Sequence, residues 1–599
     1  MPSDQLQSNE TPVEVLSRVV HFPGLAGKFG PVGKVRDLYR RVQRAPQGFL
    51  LENLLAEMRI DLRVHSADCA RISASGPVVV VANNPHGVLD GALLTVLLNR
   101  VRTDFKLLTN FPLGDVPELR RNCIFVDPYT DRSAASNRKA LHEALAWLEQ
   151  GGMLAIFPAA DVSQSQIPAP RVANPPWSDV AARLIRRTGA TALPVYFCGR
   201  NGVGFHFLGM VHPKLRAAFL LQEFLKQEGK TVEVRVGSAV PADTIQALPD
   251  DREAIDYLRW RTYLLARRSK AETPWALALR AKLAATVQEP VAEAVNQNAL
   301  AEEIGKLSGE RCLAENAGFS VHLGMAREIP ELLLEIGRLR ELTFRRVGEG
   351  TGKSRDLDSF DDYYWHVILW NKTKGELVGA YRAGNTAEIL AERGIGGLYT
   401  STLFRYDEKL FEKLGPALEL GRSFVRPEYQ RQYAPLLLLW KGIARLIALR
   451  PEIPILFGAV SISNDYNKAS REMIYQFFRS RIEDDELAGM IEPRRPFRLS
   501  LLPRWDCRSM CRALHDLDEL SEPITDVEAD GKGLPILLRQ YAKVGGRLLG
   551  FNVDRKFSNV LDGLIVVDLR RTDPAVLDRY MGREAATHFH KIHGVARRG

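Results

Sequence analysis

The segment Val78-Val-Val-Val-Ala-Asn-Asn-Pro-His-Gly-Val-Leu-Asp-Gly91 decides how the first half of the chain is interpreted. Four consecutive valines predict a buried β-strand, because β-branched side chains suit a sheet that is covered on both faces. The Asn-Asn-Pro-His-Gly turn ends this strand, and the apolar residues 92–99 predict the helix that follows. Open α/β sheets bind ligands at the carboxyl ends of their strands. We therefore expect His86 and Asp90 at a ligand site, where a histidine can act as a general base.

A turn histidine without a catalytic task is the alternative interpretation, since an isolated HxxxD pattern often occurs by chance. The surrounding sequence favours the interpretation that His86 and Asp90 lie at a ligand site. Short apolar runs recur at 123–127, 153–157 and 192–197, and helix-like segments at about 136–150 and 177–188 separate them. Strands that alternate with helices predict an α/β domain with a parallel or mixed sheet.

The length of 599 residues is more than one hydrophobic core normally supports, so we expect at least two domains. Residues 271–317 are rich in Ala, Leu, Glu and Lys and predict a helical connector between a first domain at 1–270 and a second at 318–599. In the second domain, residues 365–370 and 377–381 predict new strands.

The net charge of +9 favours an acidic partner, such as an anionic membrane surface or an acidic carrier protein. We find no nucleic-acid-binding motif and do not expect a nucleic acid partner. No run reaches 18 consecutive apolar residues, and no secretory signal is apparent. We therefore expect a cytoplasmic protein that binds the inner face of the membrane peripherally. Six cysteines form no disulfide or zinc pattern, and we expect no metal site.

Residues 75–240 resemble the glycerolipid-type acyltransferases of the PlsC superfamily, in particular its hemolysin-like branch. The resemblance rests on His86 and Asp90 and on Phe157-Pro-Ala-Ala-Asp-Val-Ser163, which corresponds to the Phe-Pro-Ala-Gly-Glu-Val-Ser segment of that branch. It implies that His86 and Asp90 form the catalytic pair and that Asp161 helps to bind the acyl acceptor. An N-cap is the alternative role for Asp161.

Two arginines follow the segment Phe125-Val-Asp-Pro128. Arg132 and Arg138 are candidates for binding a carboxylate or phosphate of the acceptor, since guanidinium groups form paired hydrogen bonds with such anions. Solvated surface positions are the alternative for each of them.

In the second half, Leu418-Glu-Leu-Gly-Arg-Ser-Phe-Val425 predicts a strand, and residues 436–445 predict a helix. The free N–H groups and the dipole of a helix N-terminus attract anions. A pyrophosphate or phosphopantetheine arm would fit at the turn between them, which places Gln430, Arg431, Gln432, Tyr433 and Ala434 at an acyl-carrier site. The layout resembles the GNAT fold.

Several segments occur in the order found in the GNAT-like N-acyltransferases that make lyso-ornithine lipid: 340–345, 348–352, 356–361, 379–382, 419–423 and 461–464. By this resemblance Glu419 is the candidate base for the amine, and Arg382 and Arg422 are substrate-binding residues. An ion pair of Glu419 with one of these arginines is the alternative. Residues 348–354 do not complete a P-loop, because position 347 is valine, and we interpret them as a loop that closes over the substrate.

The fusion of both halves resembles the bifunctional ornithine lipid synthases. It implies a PlsC-type α/β domain followed by a GNAT-like α+β domain, with no bound cofactor. The second domain would acylate an amino acid with a 3-hydroxyacyl group from acyl carrier protein or coenzyme A, and the first would then acylate the 3-hydroxyl. The resemblance implies ornithine, and glycine, lysine and glutamine are the alternative substrates. The alternatives are a lysophospholipid or glycerolipid acyltransferase with one active domain, and a membrane-lytic hemolysin-like protein.

Overall fold

The computed structural model describes residues 31–44, 49–110, 121–126, 133–159, 177–199, 224–268, 288–307, 309–482, 485–499, 510–555 and 557–595. The chain divides into two compact units. The first comprises residues 1–268 and 504–527, and the second comprises residues 269–503 and 528–599. The sequence-based boundaries, in contrast, leave 504–527 in the second domain.

The first unit contains a seven-stranded sheet with the order β1-β7-β6-β2-β5-β3-β4. Its strands are β1 (Asp61–Val64), β2 (Val78–Ala82), β3 (Phe105–Asn110), β4 (Cys123–Val126), β5 (Met153–Ile156), β6 (Thr191–Phe197) and β7 (Thr231–Val236). All pairs are parallel except β6 with β7. The predicted α/β class is therefore confirmed, and β2 lies at the centre of the sheet, as its unbroken valine run requires.

Helices surround this sheet within the first unit. Those that the structure describes are Pro31–Gln43, Leu50–Glu57, Ser66–Cys69, Val88–Asn99, Ser133–Glu149, Val180–Thr188, Ala242–Gln246, Asp251–Leu264 and Leu517–Val527. The helix after β2 is almost entirely buried, which explains its apolar sequence on every face.

A late segment of the chain, helix Leu517–Val527, belongs to the first unit because of one carboxylate. Asp526 has a fully buried side chain that accepts hydrogen bonds from the N–H and the hydroxyl of Ser238, both at 2.8 Å. It also forms ion pairs with Arg71 at 2.8 Å and Arg261 at 3.1 Å. A charge buried with such partners fixes the position of this helix.

The second unit contains an eight-stranded sheet with the order β16-β17-β14-β13-β11-β10-β9-β8 and a small sheet of β12 and β15. The strands are β8 (Cys312–Glu315), β9 (Phe319–Met325), β10 (Trp365–Asn371), β11 (Glu376–Asn385), β12 (Phe404–Tyr406), β13 (Ala417–Val425), β14 (Ile455–Ile462), β15 (Ile491–Pro493), β16 (Arg547–Asp554) and β17 (Val560–Asp568).

The described helices of the second unit are Gln297–Lys306, Pro330–Arg346, Thr386–Arg393, Lys409–Leu414, Tyr433–Leu449, Lys468–Ile482, Ile536–Lys543, Pro574–Met581 and Arg583–Ile592. Of the proposed connector 271–317, residues 271–287 lie outside the described part. The rest contains the first of these helices and the edge strand β8.

The large sheet of the second unit is interrupted between β13 and β14. These strands pair in parallel only from Ala417 to Glu419, opposite Ile455–Phe457. Beyond that point β13 continues to Val425 beside β11, and β14 continues to Ile462 beside β17. One edge of β13 and one edge of β14 therefore lose their strand partner in the middle of the sheet, where a ligand can reach the backbone.

Candidate active sites

The turn after β2 is held against the neighbouring strand β6 by an asparagine side chain. Asn83 accepts a hydrogen bond from the Phe197 N–H at 2.7 Å and donates one to the Phe197 carbonyl at 3.0 Å. It thus continues the strand pairing by one residue. Gly87 follows with φ of 67°, a conformation that favours glycine, and caps helix Val88–Asn99.

Asp90 binds the backbone of His86 across this turn. Its carboxylate is fully buried, and Oδ2 accepts a hydrogen bond from the His86 N–H at 2.6 Å. Burial raises the pKa of Asp90 well above its usual value, although the N–H groups of His86 and Gly87 oppose this rise. The structure therefore brings the two predicted residues together, with Asp90 fixing the shape of the turn.

The imidazole of His86 faces the loop after β6. Its Nε2 lies 3.4 Å from the Cys198 carbonyl oxygen, and its buried Nδ1 has no hydrogen-bond partner among the described residues. Gly199 lies so close that a Cβ there would come within 2.2 Å of Nε2. Burial lowers the pKa of His86, while the Cys198 carbonyl opposes this and Lys230 adds to it. Burial therefore favours the neutral ring, which is the form that can accept a proton.

The other predicted residues of the first site are not assembled around His86 in the described structure. Arg138 is exposed on helix Ser133–Glu149. Asp161 and Arg132 lie outside the described residues. Their proposed contacts with an acyl acceptor remain predictions.

In the second unit, a buried network of charges lies beside β11 and β13. Its members are three arginines and three aspartates: Arg340, Arg382, Arg422, Asp356, Asp358 and Asp361. Arg340 lies 2.8 Å from Asp361 and 3.1 Å from Asp356. Burial of so many charges is tolerated because each has an opposite charge within reach.

Two members of this network, Arg382 and Arg422, are the substrate-binding residues predicted from the sequence. Both guanidinium groups stack on the ring of Tyr399, at 5.0 and 5.1 Å. Arg422 has φ of 49° and lies where β13 shifts register against β11. Arg382 Nη2 and Arg422 Nε have no hydrogen-bond partner among the described residues. Each arginine therefore retains one enclosed donor without a hydrogen bond in the described structure.

Glu419 lies at the last position at which β13 pairs with β14, and its buried carboxylate accepts three hydrogen bonds. It accepts hydrogen bonds from the Thr400 N–H at 2.7 Å, the Tyr399 N–H at 3.1 Å and the Tyr364 hydroxyl. No ion pair joins it to Arg382 or Arg422 in the described structure. Three hydrogen bonds thus join Glu419 to Tyr364 and to the turn at Tyr399, and its role as a base remains a prediction.

Two buried acids near Arg422 are absent from the sequence-based set. Burial raises the pKa of Glu349 to about 7, with Asp465 adding to this and Arg422 opposing it. Burial likewise raises the pKa of Asp562 to about 8, and Asp554 adds to this. A single acid inside the apolar strand Val560–Asp568 is a signal that could have indicated Asp562 from sequence.

The turn after β13 leads to a helix N-terminus, as predicted. Helix Tyr433–Leu449 begins there without a side-chain cap at Gln432. Gln430, Arg431 and Tyr433 are exposed, and Ala434 is half-buried. Free N–H groups at an accessible helix N-terminus suit an anionic ligand. Binding of an acyl carrier at this turn remains a prediction.

Comparison with known families identifies the class of each half. Residues 52–272 match a family described as "Acyltransferase", and residues 339–441 match "Acetyltransferase (GNAT) domain". The chain is therefore an enzyme in which an acyltransferase domain is fused to a GNAT domain. The GNAT domain indicates an acyl-coenzyme A type of co-substrate in general terms.

Three similar proteins, all N(alpha)-acyltransferases, indicate the family to which the chain belongs. Two glycine N(alpha)-acyltransferases, from Phocaeicola vulgatus and Bacteroides thetaiotaomicron, are 30% and 31% identical to the chain over 258 residues. The alignments cover 40% of this chain and 77% and 74% of those proteins. An L-ornithine N(alpha)-acyltransferase from Brucella abortus is 24% identical over 302 residues, 47% of this chain and 98% of that protein. The chain belongs to the bacterial Nα-acyltransferase family that these proteins represent.

A crystal structure of the 1-acyl-sn-glycerophosphate acyltransferase PlsC from Thermotoga maritima superposes with a TM-score of 0.24 at 14% identity, over 43% of this chain and 97% of that one. Within the described residues, every helix is too short or too polar to cross a bilayer.

Proposed function

We propose that the chain makes a two-chain aminolipid by two successive acyl transfers. The GNAT half acylates the α-amine of an amino acid with a 3-hydroxyacyl group, and the first half then acylates the 3-hydroxyl. The observation that carries the proposal is the fusion of two acyltransferase domains in a chain whose relatives acylate α-amines. An amide with a hydroxyl on its acyl chain gives the second domain a natural acceptor.

In the N-acylating half, we assign the free donors of Arg382 and Arg422 to the carboxylate of the amino acid. Arg422 lies on β13 beyond the last residue that pairs with β14, and Arg382 lies on the adjacent strand β11, opposite Gly421. The exposed turn Gln430–Ala434 holds the phosphopantetheine arm of the donor. The donor is acyl carrier protein or coenzyme A, because both present the acyl group as a thioester on this arm.

In the O-acylating half, we assign the role of base to His86. Its neutral imidazole takes the proton from the 3-hydroxyl while the oxygen attacks the thioester. Gly199 lies against Nε2 of His86. The other ring nitrogen, Nδ1, has no partner among the described residues and can form a further hydrogen bond. Asp161, Arg132 and Arg138 are assigned to the acceptor.

Ornithine is the amino acid we propose, and glycine is the second candidate. Ornithine fits the order of segments between residues 340 and 464, and the ornithine enzyme is covered over 98% of its length. Glycine is favoured by the two relatives with the higher identity. Both substrates offer an α-amine and an α-carboxylate to the same arginines.

Mass spectrometry of lipids tests the proposed function. A host without aminolipids would express the chain in medium with isotope-labelled ornithine or labelled glycine. We expect a new lipid that carries the label of one amino acid and two acyl chains. A host that makes only a one-chain N-acyl product would show that the first domain has another acceptor. The absence of any labelled lipid would contradict the proposal.

We also propose that the enzyme works on the inner face of the membrane. Its product is a lipid, and its net charge of +9 favours contact with anionic headgroups and with an acidic carrier protein.

A further inference from the structure

The loop after helix Pro330–Arg346 carries a buried glutamate between two glycines, Gly348-Glu-Gly350. Both ends of this loop are fixed. The Val347 carbonyl accepts a hydrogen bond from the Ser463 hydroxyl at 2.8 Å, just after β14. The N–H groups of Thr351 and Gly352 donate to the buried carboxylate of Glu341, at 3.0 and 2.8 Å. The loop thus has a defined position beside the end of β14.

The carboxylate of Glu349 has no hydrogen bond or ion pair among the described residues, although the side chain is only 8% exposed. The carboxylate oxygens are not among the fully enclosed side-chain atoms, so they remain open to water or to a substrate group. Glu419 contrasts with it, since its two oxygens accept three hydrogen bonds. Glu349 differs from Glu419 in having no hydrogen-bond donor on its carboxylate among the described residues.

Glu349 faces the interrupted part of the sheet. The charged groups that act on it are Arg422 of β13 and Asp465 after β14, and Glu349 in turn acts on Asp562 of β17. Asp562 is paired with Ser461 at the end of β14. Arg422 and Asp562 come from two strands, and Glu349 and Asp465 come from two loops, near the point where β13 and β14 have ceased to pair.

We propose that Glu349 is the general base of the N-acyl transfer, taking a proton from the α-ammonium group of the amino acid. This assignment rests on the proposed function. The arginines nearby hold the carboxylate of the same substrate, so its α-ammonium group is brought within reach of Glu349.

The N-acyl transfer conserves atoms and charge. One proton moves from the ammonium nitrogen to Glu349, and the free amine attacks the thioester carbon. The C–N bond forms and the C–S bond breaks, and the thiolate leaves with the second proton of the nitrogen. Glu349 then releases its proton to water. The net products are the amide, a free thiol and one proton.

A base must be ionised to act, and the pKa of Glu349, about 7 because of burial, allows both states near neutral pH. The kcat of the wild-type enzyme should therefore rise as the pH passes through about 7. If kcat of Glu349→Gln no longer rises near pH 7, the rise in the wild type comes from ionisation of Glu349, because glutamine has the same shape and does not titrate.

The experiment measures N-acyl amino acid formed by the purified full chain from a 3-hydroxyacyl thioester, with ornithine and glycine in separate reactions. We expect Glu349→Gln to lower kcat by about 10²–10⁴-fold, the usual range for a lost general base, and to regain part of the rate at high pH, where the amine is already free. Glu349→Asp should retain the titrating limb. Glu392→Gln, at an exposed position on helix Thr386–Arg393, is the matched control.

Two results would overturn the role of Glu349 alone: an active wild type whose kcat has no limb near pH 7, or a Glu349→Gln enzyme with unchanged kcat and pH profile. The wild-type profile decides the matter even if a variant fails to fold. A wild type that acylates neither amino acid would instead overturn the proposed function, and this role with it.

Discussion

The carboxylate of Asp90 accepts a hydrogen bond from the backbone N–H of His86, and the imidazole Nδ1 of His86 has no partner in the described structure. The spacing of three intervening residues accounts for this. Asp90 is the third residue of helix Val88–Asn99, and a side chain there reaches back to N–H groups ahead of the helix. Asp90 therefore orients the turn that carries His86, and acts on the ring through the backbone.

Replacing His86 tests the first domain. If His86 is the base for O-acylation, His86→Ala should leave N-acylation intact and lower the two-chain lipid by about 10²–10⁴-fold, so the one-chain intermediate accumulates. Lipid mass spectrometry measures both species. His142→Ala, on helix Ser133–Glu149, is the control. Normal amounts of two-chain lipid from His86→Ala would mean that another group does this chemistry.

Asp90 can be tested through stability. Asp90→Ala leaves the His86 N–H without its acceptor, and we expect a loss of about 1–3 kcal/mol in the free energy of unfolding. Asp90→Asn keeps an oxygen acceptor and should fold well. Because burial raises the pKa of Asp90, its contribution is fully present at low pH and declines as the pH rises through the folded-state pKa. The Tm of Asp90→Asn should therefore increase relative to the Tm of the wild type as the pH rises. A Tm difference between the two proteins that does not change with pH would contradict this.

Glu419 is the last residue of β13 that pairs with β14. Its carboxylate binds the turn at Tyr399, and the ring of Tyr399 stacks on two arginines. Glu419→Gln removes the charge and turns one acceptor into a donor. We expect loss of the N-acyl product, including the one-chain form, together with a lower Tm. Lost activity at an unchanged Tm would support Glu419 as the base, and unchanged activity would exclude both a catalytic and a structural role.

Asp526 should be essential for the first unit. Asp526→Ala leaves Arg71 and Arg261 buried without this partner, and breaking a buried pair in this way costs about 3–5 kcal/mol. Denaturant unfolding would measure the loss. Asp518→Ala changes an exposed aspartate on the same helix and should have little effect. Equal stability of the two variants would show that the ion pairs do not hold this helix.

Membrane attachment should depend on salt. If the positive charge contributes to binding, the enzyme should sediment with vesicles that contain anionic lipids at low ionic strength and be partly released at high salt. Vesicles of zwitterionic lipid are the control. A protein that stays in the supernatant with both kinds of vesicle at low salt would contradict the proposed location.

Local patterns were sufficient to predict some of the strands that are buried on both faces, although the buried strands β14 and β17 were not predicted. Val78–Ala82 is a continuous apolar run, and such a run has few alternatives to a central strand. The edge strand Asp61–Val64 and the mixed strand Thr231–Val236 went unpredicted, because half of their side chains are polar or charged and alternate as they also do in loops. The turn with His86 and the helix after β13 were predicted for the same local reason.

The sequence by itself determined two acyltransferase halves and the segments that carry their arginines, aspartates and histidine, since these follow from order and composition along the chain. The tertiary structure decided which groups are occupied. It gave Glu419 two donors from the turn at Tyr399 and Thr400 and a third from Tyr364, and it left Glu349 without a donor among the described residues. It also returned helix Leu517–Val527 to the first unit through Asp526. Hydrogen bonding and burial depend on residues far apart in sequence, so which carboxylates are hydrogen-bonded is determined only when the chain has folded.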